Sequence, residues 1–287
     1  MNRNPGEAAR LQLRLTRTVC YIVLILISLM CLFSFYVLII NSTRSHPDIQ
    51  KGFSFLPGGS FVYNLRSLLA NQNLPVVKAI FNSLFISAGA ALVTTYFSAL
   101  TAYAIHAYDF RFKRAAFTFI MMIMMVPSQV TALGFVRLMG SFNLIDTFIP
   151  LIVPTAASPI VFFFMKQYME AVLPIEIVEA ARIDGSNEFR TFNFVVLPIL
   201  KPAIAVQAIF SFVSSWNNYF IPSLILKSTE NKTVPLLIAQ LRNADFLKFD
   251  MGQVYMLVTI AIVPVVIVYL LLSRYIIRGI TLGSVKG

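Results

Sequence analysis

The chain has 287 residues, 58% of them hydrophobic and 12% charged, with a mean hydropathy of +0.78 and a net charge of +11. A soluble domain of this length could not cover so much apolar surface, so the composition points to a polytopic all-α membrane protein. Lys and Arg are spread through loops rather than gathered on one face, which argues against nucleic acid as a partner and for contact with membrane lipid.

Residues 1–18 carry Arg3, Arg10, Arg14 and Arg17 and precede the uncharged run 19–40. As a helix that run is about 33 Å long, enough to cross a bilayer. It is longer than the core of a signal peptide, and Ile39-Ile40-Asn41 offers no small-residue cleavage site, so it reads as a retained anchor. Cys20 and Cys31 sit in the same run, about 16 Å apart along the axis, too far for a disulfide. Five more uncharged runs follow, at 79–105, 115–136, 147–165, 203–226 and 251–273.

Six spans place both termini on one side. With the amino terminus in the cytoplasm, fourteen of the 23 Lys and Arg fall inside, the bias that topology rules expect. The external segments are then 41–78, 137–146 and 227–250, and 274–287 is a cytoplasmic tail. Pro150, Pro154 and Pro159 make the fourth span irregular, while Pro127, Pro222 and Pro264 interrupt the third, fifth and sixth.

Ser83, Ser87, Ala90, Thr94, Ser98 and Thr101 recur at steps of three and four along the second span. A stripe of small residues lets membrane helices approach closely, and it is read here as packing. On the fifth span Gln207, Ser211, Ser214 and Asn218 share one face, with Trp216 beside them. Amides in hydrocarbon need partners, so this face turns to protein or to a wet cavity, and interhelical hydrogen bonding and a solute path both stay open. Gln129 carries the same two readings. His46 and His106 have no spaced partners, and the run of Met121, Met122, Met124 and Met125 lies near no His, Cys or acid cluster. No metal site and no catalytic residue is assigned.

Between the fourth and fifth spans, 166–202 cannot lie in lipid. Eight charged residues fall from Lys166 to Arg190, and at about 3 kcal/mol each roughly 24 kcal/mol would oppose their burial. The segment is nevertheless patterned to dock. Good helix formers follow Pro174, Asp184-Gly185 breaks the helix, and Ser186 or Asn187 can cap a second one carrying Phe189, Phe192 and Val196. Two short helices around a glycine turn, one with small residues and one with aromatics, suit a partner's groove.

Glu179-Ala180-Ala181, Asp184-Gly185, Leu197-Pro198 and Pro202 resemble, in order and spacing, the EAA loop of ABC importer permease subunits. From about Asn82 onward the chain is similar to the MalG-type permease of carbohydrate ABC importers. Asn82-Ser83-Leu84, Met125-Val126-Pro127, Leu144-Ile145-Asp146-Thr147, Trp216-Asn217 and the ending Gly283-Ser284-Val285-Lys286-Gly287 carry that similarity. The family commonly has a second glycine where Ser284 stands.

The resemblance implies a type I importer permease fold and a heterodimer with a MalF-type permease. It also implies two cytoplasmic ATPases holding ATP and Mg, an external solute-binding protein, and a sugar as solute. It places 179–185 in the ATPase cleft and the tail 283–287 at the ATPase interface. The external loop with Asn231, Lys232, Arg242 and Lys248 would approach the binding protein. The chain has no G-x-x-x-x-G-K-[ST], so it carries no nucleotide cofactor of its own. Glycerol phosphate and uronate oligomers are alternative solutes. An ion-coupled secondary transporter is disfavoured because the six runs hold no Asp, Glu, His, Lys or Arg, and a membrane-embedded enzyme for the same reason.

Overall fold

A computed structural model describes residues 5–71, 73–243 and 249–283. Every regular element among them is helical: α1 (Pro5–Ser42), α2 (His46–Gln50), α3 (Phe61–Ala70), α4 (Val76–Ala107), α5 (Lys113–Ile123), α6 (Ser128–Ser141), α7 (Ile149–Ile152), α8 (Pro159–Val172), α9 (Ile175–Ile183), α10 (Glu188–Thr191), α11 (Leu197–Ile199), α12 (Lys201–Trp216), α13 (Phe220–Ile225), α14 (Val234–Arg242) and α15 (Met251–Gly283). Short 3₁₀ turns follow α7 and precede α14, and a π turn, Phe192–Val196, joins α10 to α11.

Four stretches are long and apolar enough to cross a bilayer: Leu13–Ser42, Val76–Ala107, Ile149–Val172 and Met251–Ser273. Two more reach that length only across a bend, Lys113–Ile123 with Ser128–Ser141 at 98° and Glu188–Ile199 with Lys201–Trp216 at 82°. The runs at 115–136 and 203–226, which the sequence marks as interrupted by proline, each contain a break. In the first, Pro127 is extended (ψ 132) and lacks an N–H, so α5 closes on Met122 and Ile123 carbonyls before it. In the second, α12 ends at Trp216 and a break at 217–219 precedes α13.

The chain divides into two compact units, the first within Met1–Ala70 and Ala244–Thr259, the second within Asn71–Asn243 and Ile260–Gly287. In the first, α1 keeps its apolar surface exposed through 0% burial of its most hydrophobic window, as a lipid-facing span would. Its end is held by a buried polar knot. Arg44 donates through Nη1 to Asn41 Oδ1 (3.1 Å) and Gly52 O (2.9 Å), and Asn64 Nδ2 donates to the carbonyls of Ser42 and Arg44, both at 2.9 Å. Gly252 is required beside this knot, because a Cβ there would come within 2.7 Å of Asn64 Oδ1.

In the second unit α4 is the central helix, packed along α12 and α8. Its apolar side chains are distributed all round, the composition of a helix enclosed by protein and lipid. One core gathers Tyr103, Phe162, Met165, Met169, Phe192 and Leu200 at the end nearer α9, and another gathers Ile86, Met139, Leu151 and Ile225. Asp146, at φ +63, fastens the second end. Its N–H donates to Ile225 O (2.9 Å), and its carboxylate accepts the N–H groups of Lys227 (2.8 Å) and Ser228 (3.0 Å). Burial pushes that carboxyl pKa up, but these N–H groups and Asn231 outweigh it and hold it below the usual range.

Candidate functional site

The charged segment folds as an elbow with a dry inner side and an open outer side. Pro174 precedes α9 and Gly185 takes φ +79, a left-handed conformation that costs glycine nothing. Asn187 then caps α10 by accepting from Arg190 N at 2.8 Å. Val178, Phe192 and Val196 are buried in one core with residues of α4 and α8, and Thr191 is buried too, whereas Glu179, Ala180, Asp184 and Gly185 are exposed and Ala181 is half-buried.

Two features depart from the expectation. Phe192 is 1% exposed and belongs to the chain's own core, so it is unavailable to a partner. The π turn that begins at Phe192 adds a residue to that turn, and the ring packs on Tyr96 and Tyr103 at 5.6 and 5.5 Å. Phe189 remains outside at 70% exposure, joined by Ile183 at 86%, which the sequence reading passed over. An isoleucine at the last position of a helix otherwise rich in charge was the available signal.

Glu188 ties the elbow together. Its Oε1 accepts from Arg182 Nε (2.7 Å), its Oε2 accepts from Tyr103 OH (2.8 Å), and the Arg182 guanidinium lies 5.2 Å from the Tyr108 ring centre. The Arg182 hydrogen bond, with those from the tyrosines, lowers the Glu188 carboxyl to about 2.

Two overlapping cavities, of about 540 and 730 Å³, open here, the larger between α4, the α7–α8 segment and α12, the smaller bounded also by α6 and α13. Gln207, Ser211, Ser214 and Asn218 all line the larger, and Asn218 also lines the smaller. The Ser211 hydroxyl is buried without a protein partner, which counts against interhelical bonding at that position. The α4 stripe does more than pack: Ser83 and Ser87 line the smaller cavity and Thr94 the larger, where Thr94 donates to Thr155 O at 3.0 Å. Two expected wall residues are elsewhere. Trp216 is 3% exposed and stacked on Phe212 at 5.8 Å, because the large ring fills core space. Gln129 is exposed outside both cavities, although its neighbours Ser128 and Thr131 line the smaller.

In the segment after α13, Asn231 donates to Asp146 O (2.8 Å) and Lys232 Nζ to Gln240 Oε1 (2.7 Å), so both side chains are engaged within the chain; Arg242 is exposed. Gly283 ends α15, while Ser284, Val285, Lys286, Gly287 and Lys248 lie outside the described residues. Among the described residues no three His, Cys, Asp or Glu side chains gather to hold a metal.

A family model described as the binding-protein-dependent transport system inner membrane component matches residues 95–282. The chain belongs to this family.

This permease is 32% identical over 267 residues to the arabinooligosaccharides transport system permease protein AraQ of Bacillus subtilis, covering 91% of this chain and 93% of AraQ. It is 29% identical to the lactose transport system permease protein LacG of Rhizobium radiobacter (96% and 98%), and 27% to the sn-glycerol-3-phosphate transport system permease protein UgpE of Yersinia enterocolitica (91% and 94%). Its fold is shared with a bacterial ABC transporter involved in the import of the acidic polysaccharide alginate, with a TM-score of 0.78 over 96% of this chain and 99% of that one at 21% identity. It is an inner-membrane, multi-pass permease subunit of a binding-protein-dependent ABC importer, a transport component and not an enzyme.

Proposed function

We propose that this chain imports an uncharged, hydroxyl-rich solute, an oligosaccharide, by alternating access, and that its elbow is the socket piece for a cytoplasmic ATPase. One observation carries the coupling half of this reading. A segment whose charge keeps it in water leaves Ile183 and Phe189 86% and 70% exposed while its inner side is packed dry. Burying those two side chains in a partner cleft would contribute about 1.5–3 kcal/mol each, enough to hold a docked loop. Glu179, Ala180, Asp184 and Gly185 are exposed as well and would enter the cleft with them. ATP and Mg belong to the partner, and nucleotide-driven approach of two ATPases would move the elbow. The solute shifts the inward-open and outward-open states only by its differential affinity for them.

Six spans with both termini in the cytoplasm belong to this reading, with the fifth counted from α12 onward so that the elbow stays in water. A MalF-type second permease, two ATPase subunits and an external binding protein complete the assembly. The tail 283–287 would reach the ATPase interface, and the external loop, with Lys248 and the exposed Arg242, would meet the binding protein.

Support for the solute class comes from the cavity walls that this chain contributes, which carry hydroxyls and amides and no charged residue. A phosphate ester would need an Arg or Lys there, so a neutral sugar is favoured over glycerol phosphate. The larger cavity's volume falls in the usual range for small-molecule sites, about 300–1,000 Å³. Uptake by the reconstituted complex, with E179K and G185D beside the wild type, tests both halves. The expected result is sugar uptake that both variants abolish while the subunit stays in the membrane. Normal uptake in both would refute the coupling role, and glycerol phosphate uptake without sugar uptake would refute the solute class.

A further inference from the structure

Docking accounts for the outer side of the elbow, but leaves Arg182, Glu188, Tyr103 and Tyr108 unexplained. We propose that the Glu188–Tyr103 contact is the joint through which the elbow drives α4, making α4 the moving wall of the cavity. This rests on the coupling reading above.

Three observations converge. First, both halves of the elbow meet α4 at one carboxylate: Arg182 of α9 and Glu188 of α10 are joined at 2.7 Å, and Glu188 takes the Tyr103 hydroxyl of α4 at 2.8 Å. A displacement of either short helix is therefore delivered to the same point. Second, a parallel contact one turn onward keeps the joint from pivoting, with Phe192 between Tyr96 and Tyr103 and Tyr96 OH donating to Asn193 Oδ1 at 3.3 Å.

Third, α4 runs unbroken from this joint to the cavity. At about 1.5 Å per residue, Thr94 and Ser87 are roughly 14 and 24 Å along it from Tyr103. The covalent route is less direct. From the elbow to α12 the chain passes an 82° bend, where a displacement can be absorbed as a change of angle. The α4 route has no such bend, and α4 carries Ser83, Ser87 and Thr94 into the walls. Glu188 and Tyr103 are thus positioning residues: neither touches solute or nucleotide, and each acts through the helix it holds.

The test uses the complete complex in proteoliposomes, with both permeases, the ATPases and the binding protein, and reads sugar uptake and ATP hydrolysis in the same preparation. Y103F removes only the hydroxyl and keeps the ring against Phe192; E188Q keeps the size and removes the charge. The expected result is unchanged co-purification with the ATPase and unchanged hydrolysis, with uptake per ATP lower by about 2-fold to 30-fold, the range for residues that carry coupling between sites. The double variant should be no worse than the more affected single one, since both break one joint.

An unchanged ratio in both variants would overturn the proposal, and so would additive losses. Loss of assembly in Y103F would overturn it too, because the hydroxyl would then be a structural prop. E179K, run in parallel, separates this from the docking reading. Retained ATPase co-purification and uptake in E179K would mean that docking itself is wrong, whereas its loss beside a normal Y103F ratio would mean that only the joint is.

Discussion

Phe192 and Phe189 stand three residues apart on the same short stretch, and truncating each to alanine should have opposite consequences. Phe192 is 1% exposed, with Tyr96 and Tyr103 rings on it and Val178, Val196 and Met169 in the same core. Removing a ring from such a site deletes its transfer energy and leaves a cavity, at a cost of about 3–5 kcal/mol. Against a total stability of about 5–15 kcal/mol that is a large share. Phe189 is 70% exposed, so F189A should change stability by no more than about 0.5 kcal/mol. Thermal unfolding of the detergent-solubilised subunit, followed by loss of the monodisperse species on size exclusion, reads the first effect. Retention of the ATPase on an affinity-tagged permease reads the second. F192A should melt well below wild type, while F189A melts with wild type and loses the ATPase. A wild-type melt for F192A, or a destabilised F189A, would refute the division of the elbow into a dry inner side and a docking outer side.

Three more outcomes follow from the same geometry. The Glu188 pKa is depressed from 4.5 to about 2, so its contribution to stability is present above the unfolded value and is lost as pH falls through that window. The melting difference between wild type and E188Q should be constant near neutral pH and close below about pH 4.5, by a modest amount because the side chain is 42% exposed to screening solvent; a difference that grows on acidification would contradict this. At Gly185 nothing lies within 4 Å of an added Cβ, so only the backbone at φ +79 objects. G185V should cost the subunit about 1–2 kcal/mol in thermal melting, while G185N, which tolerates the left-handed region, should melt nearly with wild type. D146A should destabilise the subunit by about 2 kcal/mol, since two N–H groups lose their acceptor and alanine resists φ +63, whereas D146N should retain most of the stability, as thermal melting would show.

How far the sequence reaches depends on the range of the interaction involved. The spans with no break in apolar character are visible because burial in lipid is a local, additive property of the run. Val76–Ala107 and Met251–Ser273 therefore lie close to the predicted 79–105 and 251–273. Gly185 and Asn187 are legible for the same reason, since a left-handed turn and a cap are decided by one or two residues. Pro127 announces a break, but the 98° angle does not follow from it, because the direction of a bend is set by what α5 and α6 each pack against.

Long-range assignments were harder. Phe192 and Phe189 are the same residue type on one amphipathic stretch, and only the tyrosines of α4, about 90 residues earlier, decide which one is enclosed. Trp216 fell the same way, taken up by Phe212 rather than by the cavity. The serines and threonines of α4 matched a packing stripe so well that their second role, as cavity wall, appeared only once α7 and α12 were in place. Glu188 gave no sequence signal, since its partners Arg182 and Tyr103 are both ordinary residues until the elbow closes on α4.

The central claim is that the open side of the elbow sits in an ATP-binding subunit, and site-directed cross-linking tests it most directly. With a single cysteine at Ala180, introduced as A180C in a chain lacking Cys20 and Cys31, a short thiol cross-linker should trap the ATPase subunit in the assembled complex. The yield should change between the nucleotide-free and ATP-bound complex, and a control cysteine at the exposed Leu92 should trap none. Equal trapping at Leu92 and Ala180, or no ATPase adduct at Ala180 in a complex that transports, would contradict the account.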